Sequence, residues 1–296
     1  MINNKLPWKT AFVLPCAVLF SLVYLVPIVM VFVTSFTKYT VFVKPVFIGL
    51  KNYASVLSPS SEFWIAAKNT LVWVILQTTA HVGLGLIVAL VLYRQPAGWK
   101  AIRTIYLIPN IIPTAATGVM FLLLLNPQFG IIKSILKQLG MNGAKAPNLF
   151  GNSDYSFITV TMLWLFYSAF NTTIFLAEIG AIPKDIYESA IMDGANWWQT
   201  DLYITLPLLK SSIKTCLILA AVAMVSQFDI IYVTTKGGPG SATLNLPILL
   251  HKTATLESNY GVANTIGMFQ ILMGILLVLL VNALFSFVKK DVSHVR

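Results

Sequence analysis

Side chains able to do chemistry are sparse in this sequence and fall in two places. The first is the block Ala181 to Pro207, AIPKDIYESAIMDGANWWQTDLYITLP. It carries Asp185, Glu188, Asp193 and Asp201, four of the chain's ten acidic residues. The second is a scatter of polar and aromatic residues in the apolar runs on either side: Tyr167, Phe170 and Asn171 before it, Ser226, Gln227 and Asp229 after it. Neither set offers a nucleophile beside a base or the spacing of metal ligands, which argues against covalent or metal catalysis. A Walker A motif, a Gly-rich phosphate loop and a His-x-x-x-His pair are all missing from the sequence, so the chain brings no nucleotide chemistry of its own. What remains is recognition: a polar surface for a partner, and hydrogen-bonding groups with rings for a ligand.

The elements that must position these residues can be read locally. In the polar block, Pro183 suits the first position of a short helix, where its missing N–H costs nothing. Asp185 then falls in the first turn, where the helix dipole favours negative charge. Ile182, Ile186, Ala190 and Ile191 give this helix one apolar side, continued by Met192. Gly194 after Asp193 can take the left-handed conformation that ends a helix, before Ala195. Asn196 with Gln199 three residues on resembles a capping box that starts a second helix. The expectation is a rigid two-helix knob at a membrane surface. The plainer reading is an ordinary amphipathic loop.

The rest of the chain is membrane-like. Of 296 residues, 57% are hydrophobic and only 10% charged, with a mean hydropathy of +0.80. That excludes one soluble domain. The net charge of +10 fits an orientation signal better than a nucleic-acid surface, because no basic face carries stacking aromatics. Cys16 and Cys216 both lie in apolar runs and read as free thiols.

Six apolar runs are long enough to span a bilayer: about 11–36, 64–93, 104–126, 156–180, 208–233 and 260–288. The first is too long for a signal-peptide core and is kept in the mature chain. Its Pro15 and Pro27 should kink it. Thr37 to Phe63 reads as polar and irregular, Met141 to Tyr155 as a loop, and Thr234 to Ser258 as a polar loop. Pro109 and Pro113 should distort the third run and free backbone carbonyls. Phe129 to Leu139 reads as a short amphipathic helix. Gln77 and His81 lie four apart on one face of the second run, either as an interhelical hydrogen bond or as a functional pair. The reading is a single transmembrane domain over residues 1–296, all-α, with six transmembrane helices. With the N-terminus inside, Arg94, Arg103 and Arg296, the only arginines, fall on the inner side, as does the knob.

Glu188, Ser189, Ala190, Gly194, Ile204, Leu206 and Pro207 match E-A-A-x3-G-x9-I-x-L-P, with Ser189 for the second position. This resembles the EAA loop of bacterial ABC importer permeases. Ser35-Phe36-Thr37, Ile48 to Tyr53, Asn69-Thr70-Leu71, Arg103 with Pro109 and Pro113, and Asn126-Pro127 with Gly130 look like the carbohydrate branch of that family. Thr235-Lys236-Gly237-Gly238-Pro239 with Thr243 is similar to the outer loop of maltose-type subunits, although His251 and Thr255 stand where that pattern carries aromatics. The resemblance implies a type I ABC importer permease fold in a bacterial cell membrane, with cytoplasmic termini and the knob as a cytoplasmic coupling helix. Coupling would fall to Asp185, Glu188, Ser189, Ala190, Ile191, Met192, Asp193, Gly194 and Ala195. It implies a second homologous permease subunit, two ATPase subunits that hold ATP and Mg, and an extracytoplasmic sugar-binding protein. No cofactor would sit on this chain. Sugar sites combine hydrogen-bonding groups with aromatic faces, and the family draws its contacts from the runs that hold Tyr167, Phe170, Asn171, Ser226, Gln227 and Asp229. An ion-coupled secondary transporter is the alternative. It would use intramembrane acids, for which Glu178 and Asp229, both near the ends of their runs, are the only candidates.

Overall fold

The computed structural model describes residues 6–140 and 146–293. Part of the N-terminal polar stretch, part of the loop Met141 to Tyr155, and Arg296 lie outside the described residues. In chain order come α1 (Phe12–Ser35), β1 (Thr37–Thr40), β2 (Val43–Phe47), α2 (Lys51–Val56) and α3 (Phe63–Tyr93). Then follow α4 (Trp99–Ile111), α5 (Thr114–Leu124), α6 (Ile131–Gln138) and α7 (Ser153–Ala181). The knob is α8 (Lys184–Met192) and α9 (Trp197–Thr200). It leads to α10 (Lys210–Val225), α11 (Asp229–Thr234), α12 (Leu246–His251) and α13 (Tyr260–Ser293). Among the described residues, five helices are long and apolar enough to cross a membrane, or six if the bent pair α4–α5 counts as one.

The chain forms two compact units. One holds residues up to 64 together with 249–271. Within it the last turn of α1 is tied by polar contacts. Asn52 Nδ2 donates to the carbonyls of Ser35 and Thr37, both at 2.8 Å. Asn264 Nδ2 donates to Thr34 Oγ1 at 2.7 Å. The expected irregular segment after α1 is instead an antiparallel hairpin, with Thr37 opposite Phe47 and Lys38 opposite Val46. Its β-branched and aromatic residues suit strands. Pro15 lies within regular helix, and a π turn at Ser21–Leu25 precedes Pro27 in a helix that continues to Ser35.

The other unit holds residues 65–248 and those from 272 on. Its apolar core joins Val82, Ala89, Phe175, Ile179, Leu209, Cys216 and Ala220. Here α3 and α7 approach closely at Gly85. A Cβ at that position would fall 2.8 Å from Asn171 Cβ and 3.0 Å from the Ser168 carbonyl oxygen. Thr172 Oγ1 donates across this contact to the Gly85 carbonyl at 3.0 Å.

The expected third span begins earlier, at Trp99, and turns by 100° between α4 and α5. The cause is Pro113, which holds Ile112 extended (φ −82°, ψ 127°) so that the helix cannot run through it. The expected polar loop after residue 234 contains α12. Asn69 Nδ2 fastens the stretch before α12 by donating to the carbonyls of Ser241, Ala242 and Leu244, and the Leu246 N–H donates to Thr70 Oγ1 at 3.1 Å.

Candidate functional site

The knob is built almost entirely by local bonds. Pro183 is the residue before the first turn of α8 (φ −56°, ψ 134°), one position earlier than expected. Its extended backbone leaves it outside the helix, which starts with Lys184. Asp185 lies in the first turn. Ser189 Oγ donates to the Asp185 carbonyl at 2.6 Å. Asp193 closes the helix and Gly194 follows at φ +78°. Two bonds complete the stop: Gly194 N–H to the Ile191 carbonyl (3.0 Å) and Ala195 N–H to the Ala190 carbonyl (2.9 Å). This is the left-handed helix end that glycine allows. Asn196 and Gln199 then form a reciprocal capping box at 2.8 and 2.9 Å.

The apolar side of α8 divides. Ala190 is buried, whereas Ile191 is 67% and Met192 87% exposed. Glu188 is also exposed. Trp197, Trp198 and Tyr203 are exposed as well. Tyr187 Oη meets Thr205 Oγ1 at 3.3 Å, and burial raises the pKa of the Tyr187 phenol. Burial also pushes the Asp201 carboxyl above its ordinary value, against the pull of its partner Arg94.

The second site is a cavity of about 280 Å³ among α3, α4, α5, α7 and α10. Four residues expected from the sequence line it: Tyr167, Phe170, Asn171 and Gln227. Gln77, His81, Asn110, Thr114 and Trp164 join them, with Leu219, Ala220 and Ala223 as an apolar floor. Ser226 and Asp229 do not line it. The helix ends at Val225 and restarts at Asp229, so an unbroken helical face does not carry through them. Asp229 acts one step back, accepting from Thr114 Oγ1 at 3.1 Å.

Each wall of the cavity carries a local departure from α-helix. In α3 it is the π turn Gln77–His81, beside which the Thr78 and Thr79 hydroxyls donate to the Val74 and Ile75 carbonyls. Such turns recur at functional sites. In α7 it is the tight turn Phe166–Ser168. There the Asn110 amide, in its satisfied orientation, donates to the Tyr167 carbonyl (3.3 Å) and accepts from the Phe170 N–H (3.1 Å). Between α4 and α5, Tyr167 Oη lies within hydrogen-bond distance of the freed Ile112 carbonyl (3.2 Å) and of Thr117 Oγ1 (2.6 Å). At the gap after α10, Asn245 Nδ2 donates to the Gln227 carbonyl at 2.7 Å. His81 Nδ1 and Asn171 Nδ2 pair at 3.2 Å across the α3–α7 contact. That is an interhelical hydrogen bond, and it also faces the cavity.

Gln77 and His81 were visible in the sequence as a polar pair. Asn110 and Thr114 are brought in by the bend, whose only trace is the pair of prolines around them. Trp164 reads as one more apolar residue.

The profile of the binding-protein-dependent transport system inner membrane component matches residues 81–294, and the chain belongs to that family. It is a transport subunit, not an enzyme, and a multi-pass membrane protein. Among its relatives is the trehalose/maltose transport system permease protein MalF of Thermococcus litoralis. The two are 32% identical over 280 residues, covering 92% of this chain and 93% of the relative. The sulfoquinovosyl glycerol transport system permease protein SmoG of Agrobacterium fabrum is 31% identical over 265 residues, 88% of this chain and 84% of the relative.

Solved structures show the same ABC importer permease fold. A chain in the crystal structure of a bacterial ABC transporter for the acidic polysaccharide alginate superposes with a TM-score of 0.81 at 21% identity, covering 94% of this chain and 95% of that one. A chain of the alginate transporter in complex with its alginate pentasaccharide-bound periplasmic protein superposes with a TM-score of 0.82 at 20% identity, covering 96% and 95%.

Proposed function

We propose that the chain is the permease subunit of an ATP-driven, binding-protein-dependent importer of a sugar or oligosaccharide. The observation that carries this reading is the knob: a helix stopped by left-handed Gly194, with Ile191 and Met192 open beside it. A flexible thioether next to an exposed isoleucine suits a docking surface. The knob is the coupling element that seats on a cytoplasmic ATPase subunit. Residues 1–296 act as one permease domain with both termini on the same, cytoplasmic side. A second permease subunit of the same kind completes the pathway, and the two ATPase subunits hold ATP and Mg.

The cavity is this chain's share of the sugar site. Asn171, Gln227, Gln77, His81 and Asn110 offer amides and an imidazole for hydroxyl groups. The rings of Trp164, Tyr167 and Phe170 offer flat apolar faces. Binding of ATP closes the ATPase pair and moves the knob, and the helices turn the cavity from inward- to outward-facing. The extracytoplasmic binding protein then delivers its ligand, and hydrolysis resets the state. An ion-coupled carrier finds little here to use, since Glu178 is exposed and Asp229 is engaged with Thr114.

The test is purification of the complex from the native membrane, followed by reconstitution in vesicles. The reading requires an ATPase chain and a binding protein in the complex, and uptake of the binding protein's ligand only with ATP inside. Uptake driven by an ion gradient without ATP would overturn it. So would labelling of a cysteine placed at position 192 by an impermeant reagent added outside intact cells.

A further inference from the structure

The end of α3 touches the knob at both of its helices. The Arg94 guanidinium pairs with the Asp201 carboxylate. The same guanidinium lies over the Trp197 ring, 4.4 Å from its centroid. One residue earlier, the Tyr93 and Tyr187 rings are 5.9 Å apart. Tyr187 belongs to α8, Trp197 to α9, and Asp201 to the turn that follows.

An exposed ion pair would count for little, but this one is partly closed off. The Asp201 side chain is 16% exposed, and burial of its carboxyl already works against ionisation. The guanidinium uses its edge for the carboxylate and its face for the indole, two contacts that lysine cannot make together.

The chain itself does not connect α3 to the knob. α7 runs directly into α8, and the knob runs directly on towards α10. α3 leads elsewhere, into the short connection before α4. Yet α3 carries Gln77 and His81, which form a wall of the cavity. Arg94 lies thirteen residues beyond His81, about 20 Å along a helix.

We propose that Arg94 is a positioning residue for transport: clamped to Asp201 and Trp197, it makes α3 move with the knob and so carries the knob's displacement to the Gln77–His81 wall. This rests on the reading of the knob as the coupling element. α7 and α10 receive the motion through the backbone, and α3 receives it through the clamp. An untethered α3 lets the knob move and ATP turn over while one wall of the cavity lags.

The test uses the complete complex in vesicles. Chain abundance, retained ATPase subunits, stimulated hydrolysis and uptake are measured together. Arg94→Ala is expected to keep its ATPase subunits and its hydrolysis. Uptake per ATP should fall about tenfold, within the usual range for a coupling between sites. Arg94→Lys should fall between the two, since it keeps the charge and loses the stack. Exchanging the pair, Arg94→Asp with Asp201→Arg, should recover part of the ratio lost in either single variant. An unchanged ratio in Arg94→Ala overturns the proposal, including the case where only abundance drops. A swapped pair no better than the single variants also overturns it. Gly194→Asp is run beside them. If it uncouples while Arg94→Ala does not, the clamp alone is wrong. If both are silent, the coupling reading of the knob falls with it.

Discussion

The knob and the cavity solve opposite problems with the same kinds of residue. The knob must keep its shape while facing outward, and nearly all of its bonds join residues within five positions of one another. The cavity must hold polar groups inside an apolar unit, and its bonds join helices far apart in sequence: His81 to Asn171, Tyr167 to Ile112, Thr114 to Asp229. A surface made of short-range bonds can be displaced as one body. A cavity made of long-range bonds changes whenever one of its helices shifts. The pair therefore suits a device in which a rigid part drives a deformable one.

The sharpest way to break this contrast is at Gly194. Any side chain there meets a penalty of about 1–2 kcal/mol in the left-handed region. Among the described residues a Cβ at this position meets no atom within 4 Å apart from its chain neighbours, so the remaining effect of Gly194→Asp falls on whatever docks there. Uptake and binding-protein-stimulated hydrolysis are expected to be abolished with the chain still abundant in the membrane. A stable variant complex with normal hydrolysis and uptake would defeat the coupling role.

The next largest effect belongs to the cavity side. Gly85→Ala forces α3 away from α7, because the added carbon would press on Asn171 and on the Ser168 carbonyl. Overpacking of this kind costs about 1–3 kcal/mol. The thermal transition of the purified complex should drop, and uptake with it. An unchanged transition would mean that the helices part freely there.

Gln227→Ala should be milder and more specific. It is expected to lower uptake roughly fivefold, the worth of about one neutral hydrogen bond, with assembly intact. If Gln227, Asn171 and Phe170 each accept alanine with normal uptake, the sugar is held chiefly by the partner subunit.

The smallest effect is expected from Tyr167→Phe. It keeps the ring and removes the bonds to Ile112 and Thr117, a loss of about 1 kcal/mol. Stability should fall slightly while substrate preference stays the same. A changed preference would move the Tyr167 hydroxyl into the ligand's own contacts.

The same contrast decides what could be read from the letters. Asn196 and Gln199 act on each other three residues apart, so their pattern is visible in one line of sequence. So is Gly194 after Asp193. Pro183 reads as the first helical residue but stands just before the helix, because its ring suits either position. Tyr167, Phe170, Asn171 and Gln227 stand out because polar or aromatic residues in apolar runs need a reason. Ser226 and Asp229 share that signal but sit at and after a helix break, where counting along a helical face stops working. Asn110 and Thr114 reach the cavity only through the 100° turn, which the two prolines announce without giving a direction. The hairpin Thr37–Phe47 escapes the reading, because Lys38, Lys44 and Pro45 interrupt the strand pattern of its threonines, valines and aromatics.

One consequence follows from α1. None of its most apolar stretch is buried within the chain, while its last turn is fixed through Thr34 and Ser35. Most of α1 therefore presents its sides to whatever surrounds the chain, lipid or a partner subunit, and among the described residues only its last turn is held by the chain's own bonds. The family profile begins at residue 81, so it omits not only α1 but also the hairpin, α2 and the first part of α3.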